Sequence, residues 1–445
     1  MTENPLDLVP ELLILLGAVA GLLTGLFLPR PRQWIAAWIC GLALAGAMAA
    51  TAVVMKNPDK MAFAAYAVDP LTNVTRATVA LATLLVIIMT TRWARGHPRE
   101  TEVYTLLLLA ALGTVLMAGA DDLLVLVAAY LLASIPAYAL AGFGKDAPGT
   151  EAALKYYLMG AFLGVLMVAG VTLVYGMAGA TAYPGLDAPV VGVILLLAGL
   201  LFKAGGVPAH FWVPDVTEGA SRPVAAFVTT VPKIGALVAL FRLAGEVFDE
   251  PALIAVLAVA TMTLGNLAAF HQDNVRRLLA YSTISQAGYL LVPVAMAGRT
   301  GIASPALLYY VAAYAITNLG AFAVVVSLGS DRLGDYAGLA RRSPWAAFAL
   351  VVCLLGLIGT PPTGVFVGKL LVFAAAWDGG YAWLAVVVAV NTVASVFYYL
   401  RWIRPLFARE AVGGAARGWL APVIAVASVA FGVAGGIVLL VLPSR

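Results

Sequence analysis

The sequence predicts an all-α polytopic membrane protein of about fourteen transmembrane helices, because apolar runs of roughly the 20 residues that a bilayer crossing requires recur from end to end. Of the 445 residues, 63% are hydrophobic and 11% charged, less than half the roughly 25% charge of a soluble domain. That composition excludes a soluble enzyme. Stretches such as LLVLVAAYLLA and VVGVILLLAGLLF are apolar on every face, whereas a membrane β-strand alternates apolar and polar residues over roughly ten positions. A barrel is excluded as well.

The spans follow in order. The first, 9–29, is preceded by MTENPLDLVPELL, which has no Lys or Arg ahead of its apolar run, so it reads as a retained helix rather than a signal peptide. Runs at 33–54, 70–91, 102–119, 121–141, 152–177 and 188–206 come next, each bounded by charged or turn residues. They are succeeded by 221–245, 251–270, 276–297, 304–328, 345–377, 380–404 and 418–441. No loop exceeds about twenty residues or has low-complexity composition, so residues 1–445 read as a single membrane domain. Segments 102–245 and 251–404 each contain a Pro-interrupted span with a lysine near the break, the pattern of paired transporter halves, flanked by helices at 9–91 and 418–441.

The formal charge is +4, but the basic residues are scattered among loops rather than clustered, which argues against nucleic acid and makes them reporters of orientation. With the N-terminus outside, cytoplasmic loops hold seventeen of the 26 Lys and Arg, while the other side holds Lys56, Lys60, Arg242, Arg299 and Arg445. Both termini are therefore expected on the outer, periplasmic side. Cys40 and Cys353 lie in apolar runs outside any CxxC or metal-ligand pattern. GFGKDAPG and VFVGKLL contain GK pairs, but Ala139 and Leu370 break the phosphate-loop spacing. No cofactor signature is visible in this chain.

Four basic residues remain at membrane depth: Arg76, Lys203, Lys233 and Lys369. An ionised side chain there costs at least about 2.5–3.5 kcal/mol on insertion scales, so it marks function by default. Arg76, seven residues past Asp69, is better read as snorkelling to the interface. In LLFKAGGVPAHFWVPDVTEG, Gly205, Gly206 and Pro208 predict a helix break just after Lys203. In LIGTPPTGVFVGKLL, Pro361 and Pro362 interrupt the span about two turns before Lys369. Pro232 loosens a third span beside Lys233. Broken backbone at depth is tolerated only inside protein or along a wet cavity, and a buried lysine can shuttle a proton near neutral pH. These three lysines are the candidate relay. His210 is a further candidate, with an interfacial aromatic belt beside Trp212 as the competing reading. Asp215 and Glu218 are either proton gatherers or a solvated turn, and Tyr281, Ser282, Thr283, Ser285 and Gln286 either line a water path or bond between helices.

The blocks FKAGGVPAHFWVPDVTEGASRPVAAF, VPKIG, GNLAAFHQDNVRRLLAYSTISQAGYL, GTPPTGVFVGK and EAALKYYLMGAF together resemble the antiporter-like membrane subunits of respiratory complex I. The PDVTEG loop favours the subunit N branch over the longer L and M relatives. The resemblance implies fourteen helices, two inverted five-helix repeats with broken seventh and twelfth helices, and a polar axis in the membrane plane. It places Lys203, Lys233 and Lys369 on the seventh-, eighth- and twelfth-helix lysines, and His210 on the histidine beside the broken helix. It also implies L-, M- and K-like neighbours, a peripheral redox arm holding NADH, FMN, iron–sulfur clusters and quinone, and a bacterial inner membrane. One departure stands out. Relatives carry a fifth-helix glutamate that pairs with the seventh-helix lysine, and counting from Asp122 puts Leu131 there. Gln286 stands where many relatives have histidine. The expected function is proton translocation coupled to quinone reduction in partner subunits. The alternatives are a structural subunit whose channel is impaired by the change at Leu131, and a cation/proton antiporter or ion-driven uptake module outside a quinone reductase.

Overall fold

In a bilayer, backbone N–H and C=O groups find no water, so the apolar runs satisfy them internally as helices. The computed structural model describes residues 5–56, 60–62, 64–409, 414–416, 418–435 and 437. It divides into two units, residues 1–204 with 219–249 and residues 205–218 with 250–445.

The first unit contains α1 (Val9–Phe27), α2 (Ile35–Val54), a short antiparallel hairpin of β1 (Lys60–Ala62) and β2 (Tyr66–Val68), α3 (Pro70–Ala94), α4 (Glu100–Gly119), α5 (Leu123–Ala141), α6 (Ala147–Ala178) and α7 (Val190–Ala204). The chain leaves it through the short α8 (Trp212–Gly219) and returns for α9 (Arg222–Glu246). The second unit continues with α10 (Pro251–Ala269), α11 (Val275–Ala295), α12 (Ala303–Leu328), α13 (Leu339–Arg342), α14 (Pro344–Ile358), α15 (Gly364–Asp378), α16 (Ala382–Leu406) and α17 (Leu420–Val433). Among the described residues, eleven helices are long and apolar enough to cross a membrane, and α7, α14 and α17 are shorter apolar helices. The expected span at 345–377 is divided between α14 and α15. Arg417, Arg445 and most of the 418–441 span beyond α17 lie outside the described residues.

Loop aspartates start several helices. Asp69 accepts from the Thr72 N–H at 2.9 Å, Asp122 from Leu124 and Val125 at 2.7 and 3.2 Å, and Asp146 from Gly149 at 2.9 Å. Each satisfies N–H groups that a first helical turn leaves without partners. Asp69 and Asp122 also tie one end of the first unit together. Arg242 near the end of α9 donates to Asp69 (2.6 Å), Thr72 (2.9 Å) and the Ala118 carbonyl (2.7 Å). Thr181, beyond α6, donates to Asp122 at 2.5 Å. The ends of α4, α6 and α9 thus meet the starts of α3 and α5, as an alternating up-and-down path requires.

Arg76 corrects the snorkelling reading. Its guanidinium is buried and donates to Glu11 Oε1 and Oε2 at 2.6 and 2.8 Å and to Asn73 Oδ1 at 2.8 Å, and Tyr66 OH donates to the same Glu11 at 2.6 Å. A buried charge needs pairing and further hydrogen bonds, and here the partner lies 65 residues away on α1. In the second unit, Asn274 caps α11 and donates to Glu218, while Arg277 donates to both Asp215 (3.0 Å) and Glu218 (2.8 Å). The PDVTEG carboxylates therefore clamp α8 to the start of α11.

Candidate functional site

α7 ends at Ala204, one residue past Lys203, and Gly205 continues at φ +75°, a left-handed conformation that glycine adopts without steric cost. Lys203 is 1% exposed. Its Nζ has no hydrogen-bond partner among the described residues. It faces aromatic rings instead, lying 5.2 Å from the ring centre of Tyr130, 5.7 Å from Tyr138 and 6.0 Å from Tyr156. An ammonium within about 6 Å of a ring face is attracted by the ring quadrupole, by about 2 kcal/mol or more per contact when desolvated. Tyr130 and Tyr138 share one face of α5 with Ser134 between them, at i, i+4 and i+8. Leu131, at the position of the relatives' glutamate, turns the other way and is 46% exposed.

Lys233 is buried on α9 directly after Pro232. The helix runs unbroken from Arg222 to Glu246, so the proline removes one backbone bond toward Val228 without ending the span. The apolar stretch of α9 is entirely buried.

Lys369 sits on α15 in the second unit and is 3% exposed. Its Nζ donates to the Ile358 carbonyl at 2.8 Å and to Thr392 Oγ1 at 3.4 Å, and lies 4.2 Å from the ring centre of Tyr289. The helix end that supplies the carbonyl is closed by Gly359 at φ +92°, where a Cβ would come within 2.9 Å of Lys369 Cδ. Position 359 therefore needs glycine both for its backbone and for the passage of the lysine. Next to this carbonyl, Gln286 Nε2 donates to Leu357 O at 3.0 Å and Gln286 Oε1 accepts from Tyr310 OH at 2.6 Å.

Ser282, Thr283 and Ser285 of α11 also bond between helices. Ser282 pairs with Tyr399 at 2.5 Å, Thr283 with Tyr314 at 2.9 Å, and Ser285 donates to Asn266 at 2.9 Å. His210 lies between α7 and α8, half-buried and edge-on to Phe211, and its carbonyl accepts from the Val213 N–H at 3.0 Å as α8 begins. Trp212 is buried rather than placed in an interfacial belt.

The sequence alone did not single out Tyr130, Tyr138, Tyr156 or Tyr289. The one local signal was the Tyr130, Ser134, Tyr138 stripe in an otherwise apolar helix. The arrangement places ammonium groups at depth, two of them against aromatic faces and beside helix ends, where a proton can be held without an ion pair.

Residues 120–395 match the family described as NADH:quinone oxidoreductase/Mrp antiporter, transmembrane region. NADH-quinone oxidoreductase subunit N 1 of Streptomyces griseus is 54% identical over 92% of this chain and 89% of its own length. Subunit N of a Mycobacterium species, strain JLS, is 53% identical over 91% and 90%. Among solved structures, a chain of respiratory complex I from Thermus thermophilus superposes with a TM-score of 0.88 at 33% identity, covering 98% of this chain and 99% of that one. A chain of the Mrp complex from Dietzia sp. DQ12-45-1b shares the fold, with a TM-score of 0.86 at 22% identity over 99% and 96%. By the extent of the family match and by its identity to these relatives, the chain belongs to the NADH:quinone oxidoreductase/Mrp antiporter family of membrane proteins, alongside the subunit N sequences.

Proposed function

We propose that the chain is the proton-translocating subunit N of a bacterial NADH:quinone oxidoreductase, and that it moves protons through a relay of Lys203, Lys233 and Lys369. The observation that carries this reading is the pair of buried lysines next to helix ends: Lys203 against three tyrosine rings, and Lys369 against the Ile358 carbonyl and the Tyr289 ring. Charges at this depth are retained for function, and interrupted backbone there lines protein or a wet path. A lysine gaining charge pushes its neighbour to release a proton, and water bridges the gaps. Lys233, on the continuous α9, would be a further station of the relay, and His210, which follows α7 in the chain, would exchange protons with it.

In this reading the chain is one part of an enzyme whose redox chemistry lies elsewhere. NADH, FMN, iron–sulfur clusters and quinone belong to partner subunits, and the membrane neighbours are the other antiporter-like chains. Segments 102–245 and 251–404 serve as the two repeats, both termini face the periplasm, and the loops rich in arginine face the cytoplasm.

The decisive experiment is Lys233→Ala in the assembled complex, with proton yield per electron measured in sealed vesicles. Loss of translocation with intact assembly and quinone reduction supports the relay. An unchanged yield would make the chain a structural subunit instead. Mild-detergent purification of the tagged chain supplies the second arm, since recovery without flavin and iron–sulfur subunits would move it to an antiporter or uptake module.

A further inference from the structure

Lys203 has an electrostatic partner that the sequence pattern conceals. Its ammonium lies within 6.0 Å of the ring centres of Tyr130 and Tyr156, both buried, and of Tyr138, which is partly buried, and it makes no ion pair among the described residues. The rings are set in place by their surroundings. Tyr138 and Tyr156 pack edge to face with centres 4.7 Å apart, and Tyr156 leans on Phe202, the residue before the lysine. Ser134 between the two α5 tyrosines donates to the Tyr130 carbonyl at 2.6 Å. On α6, Gly160 leaves the room that Tyr138 occupies, because a Cβ there would fall 2.0 Å from the Tyr138 hydroxyl, and a Cβ on Gly164 would come 3.2 Å from the Tyr130 ring. An alanine at position 160 would close the slot.

We propose that the faces of Tyr130, Tyr138 and Tyr156 form an aromatic cage that holds the Lys203 ammonium in place of a carboxylate, making these tyrosines positioning residues for the proton relay. The proposal rests on the relay reading given above. It follows from two opposite orientations on neighbouring positions of α5: Tyr130 turns inward to the lysine, while Leu131 turns outward and leaves no acidic partner. The charged residues on the helices packed against α7 are Glu151 and Lys155, an exposed ion pair in the first turns of α6, and Arg222, Lys233, Arg242 and Glu246 on α9. Arg242 is taken by Asp69 at the end of α9. Ring faces attract a cation without binding it through directed hydrogen bonds, so the cage stabilises the protonated state while leaving the N–H groups free to hand a proton on. A carboxylate would hold the same lysine in an ion pair that must be opened at each turnover.

The test replaces Tyr130 and Tyr138 in the intact complex by phenylalanine, by phenylalanines of increasing fluorination, and by leucine, and measures proton yield per electron in sealed vesicles. Lys203→Ala is run in parallel. Phenylalanine keeps the ring face and is expected to keep the yield. Fluorination drains the face with little change of shape and is expected to lower the yield stepwise, with the leucine pair lowest. A yield indifferent to fluorination, or phenylalanine variants as impaired as leucine ones, would overturn the cage. The fluorinated series preserves packing, so a leucine variant that fails to assemble leaves the outcome decided. If Lys203→Ala itself leaves the yield unchanged, the relay reading fails separately from the cage.

Discussion

Lys369 Nζ donates a 2.8 Å hydrogen bond to the carbonyl of Ile358, the last residue of α14. The final carbonyls of a helix have no intrahelical partner and carry the negative end of its dipole, so a cation is favoured there without a carboxylate. Replacing Lys369 by Met removes the donor and the charge together. The expected result is loss of most proton translocation with quinone reduction retained, read with a pH-sensitive dye in inverted vesicles. A full proton yield would remove Lys369 from the relay.

Gly359→Ala should disturb the same contact through the backbone. The position holds φ +92°, and the added Cβ would meet Lys369 Cδ at 2.9 Å. A side chain forced into such a conformation costs of order 1–3 kcal/mol. A lowered thermal transition of the purified complex, accompanied by reduced proton yield, is expected.

The Arg76–Glu11 pair joins α3 to α1 inside the first unit. Removing one member of a buried pair strands the other and costs about 3–5 kcal/mol. Glu11→Ala should therefore destabilise strongly, whereas a combined Glu11→Ala, Arg76→Met variant should recover much of the loss. Thermal unfolding of the two variants in detergent checks both statements.

Asp69, ahead of α3, contributes an acid-dependent stabilisation of its own. Burial pushes its carboxyl up, but the charge of Arg242 and the hydrogen bonds from Arg242 and Thr72 outweigh this and hold it below its ordinary 3.8. The folded protein thus binds this proton less readily than the unfolded chain. The resulting stabilisation is complete above the unfolded value and is lost as pH falls below about 4 through the folded one. Thermal transitions measured between pH 3 and 6 should show this loss in the parent and a weaker pH dependence in Asp69→Asn.

His97, in the loop between α3 and α4, is expected to stay neutral to lower pH than an ordinary histidine. Burial lowers its affinity for a proton first, and Arg99 adds to this. Its Nδ1 accepts from the Arg99 N–H at 3.2 Å, and its ring stacks on Trp93. Protonation would end that acceptor role, so this loop's contribution to stability is present above pH 6.5 and lost as pH falls through the lower folded value. The chain has 3 histidines, which makes histidine-selective NMR titration direct; a midpoint at or above 6.5 would contradict the assignment.

The spans and the three lysines were legible in the sequence because hydropathy and intramembrane charge are local properties. The ends of α7 and α14 lie beside glycines and prolines that can be read one residue at a time. What surrounds each lysine was not legible. Helices apolar on nearly every side say little about which face turns inward, and on α5 the Tyr130, Ser134, Tyr138 stripe alone does not show that Tyr130 is 2% exposed and Leu131 46%. Glu11 and Arg76 are separated by 65 residues, and only packing joins them. The α11 hydroxyls are polar at first sight, but their role as bonds between helices depends on Tyr399, Tyr314 and Asn266 on three other segments.

The burial of α9 bears on how the protein is made. A span that carries Lys233 and has its whole apolar stretch covered by the rest of the chain gains little from lipid on its own, and its charge opposes partition into hydrocarbon. Its neighbours α3, α4, α5 and α7 all precede it in the chain. The order of synthesis therefore builds the receptacle before the helix that fills it, and α9 can enter the membrane as the closing piece of a bundle already waiting to receive its lysine.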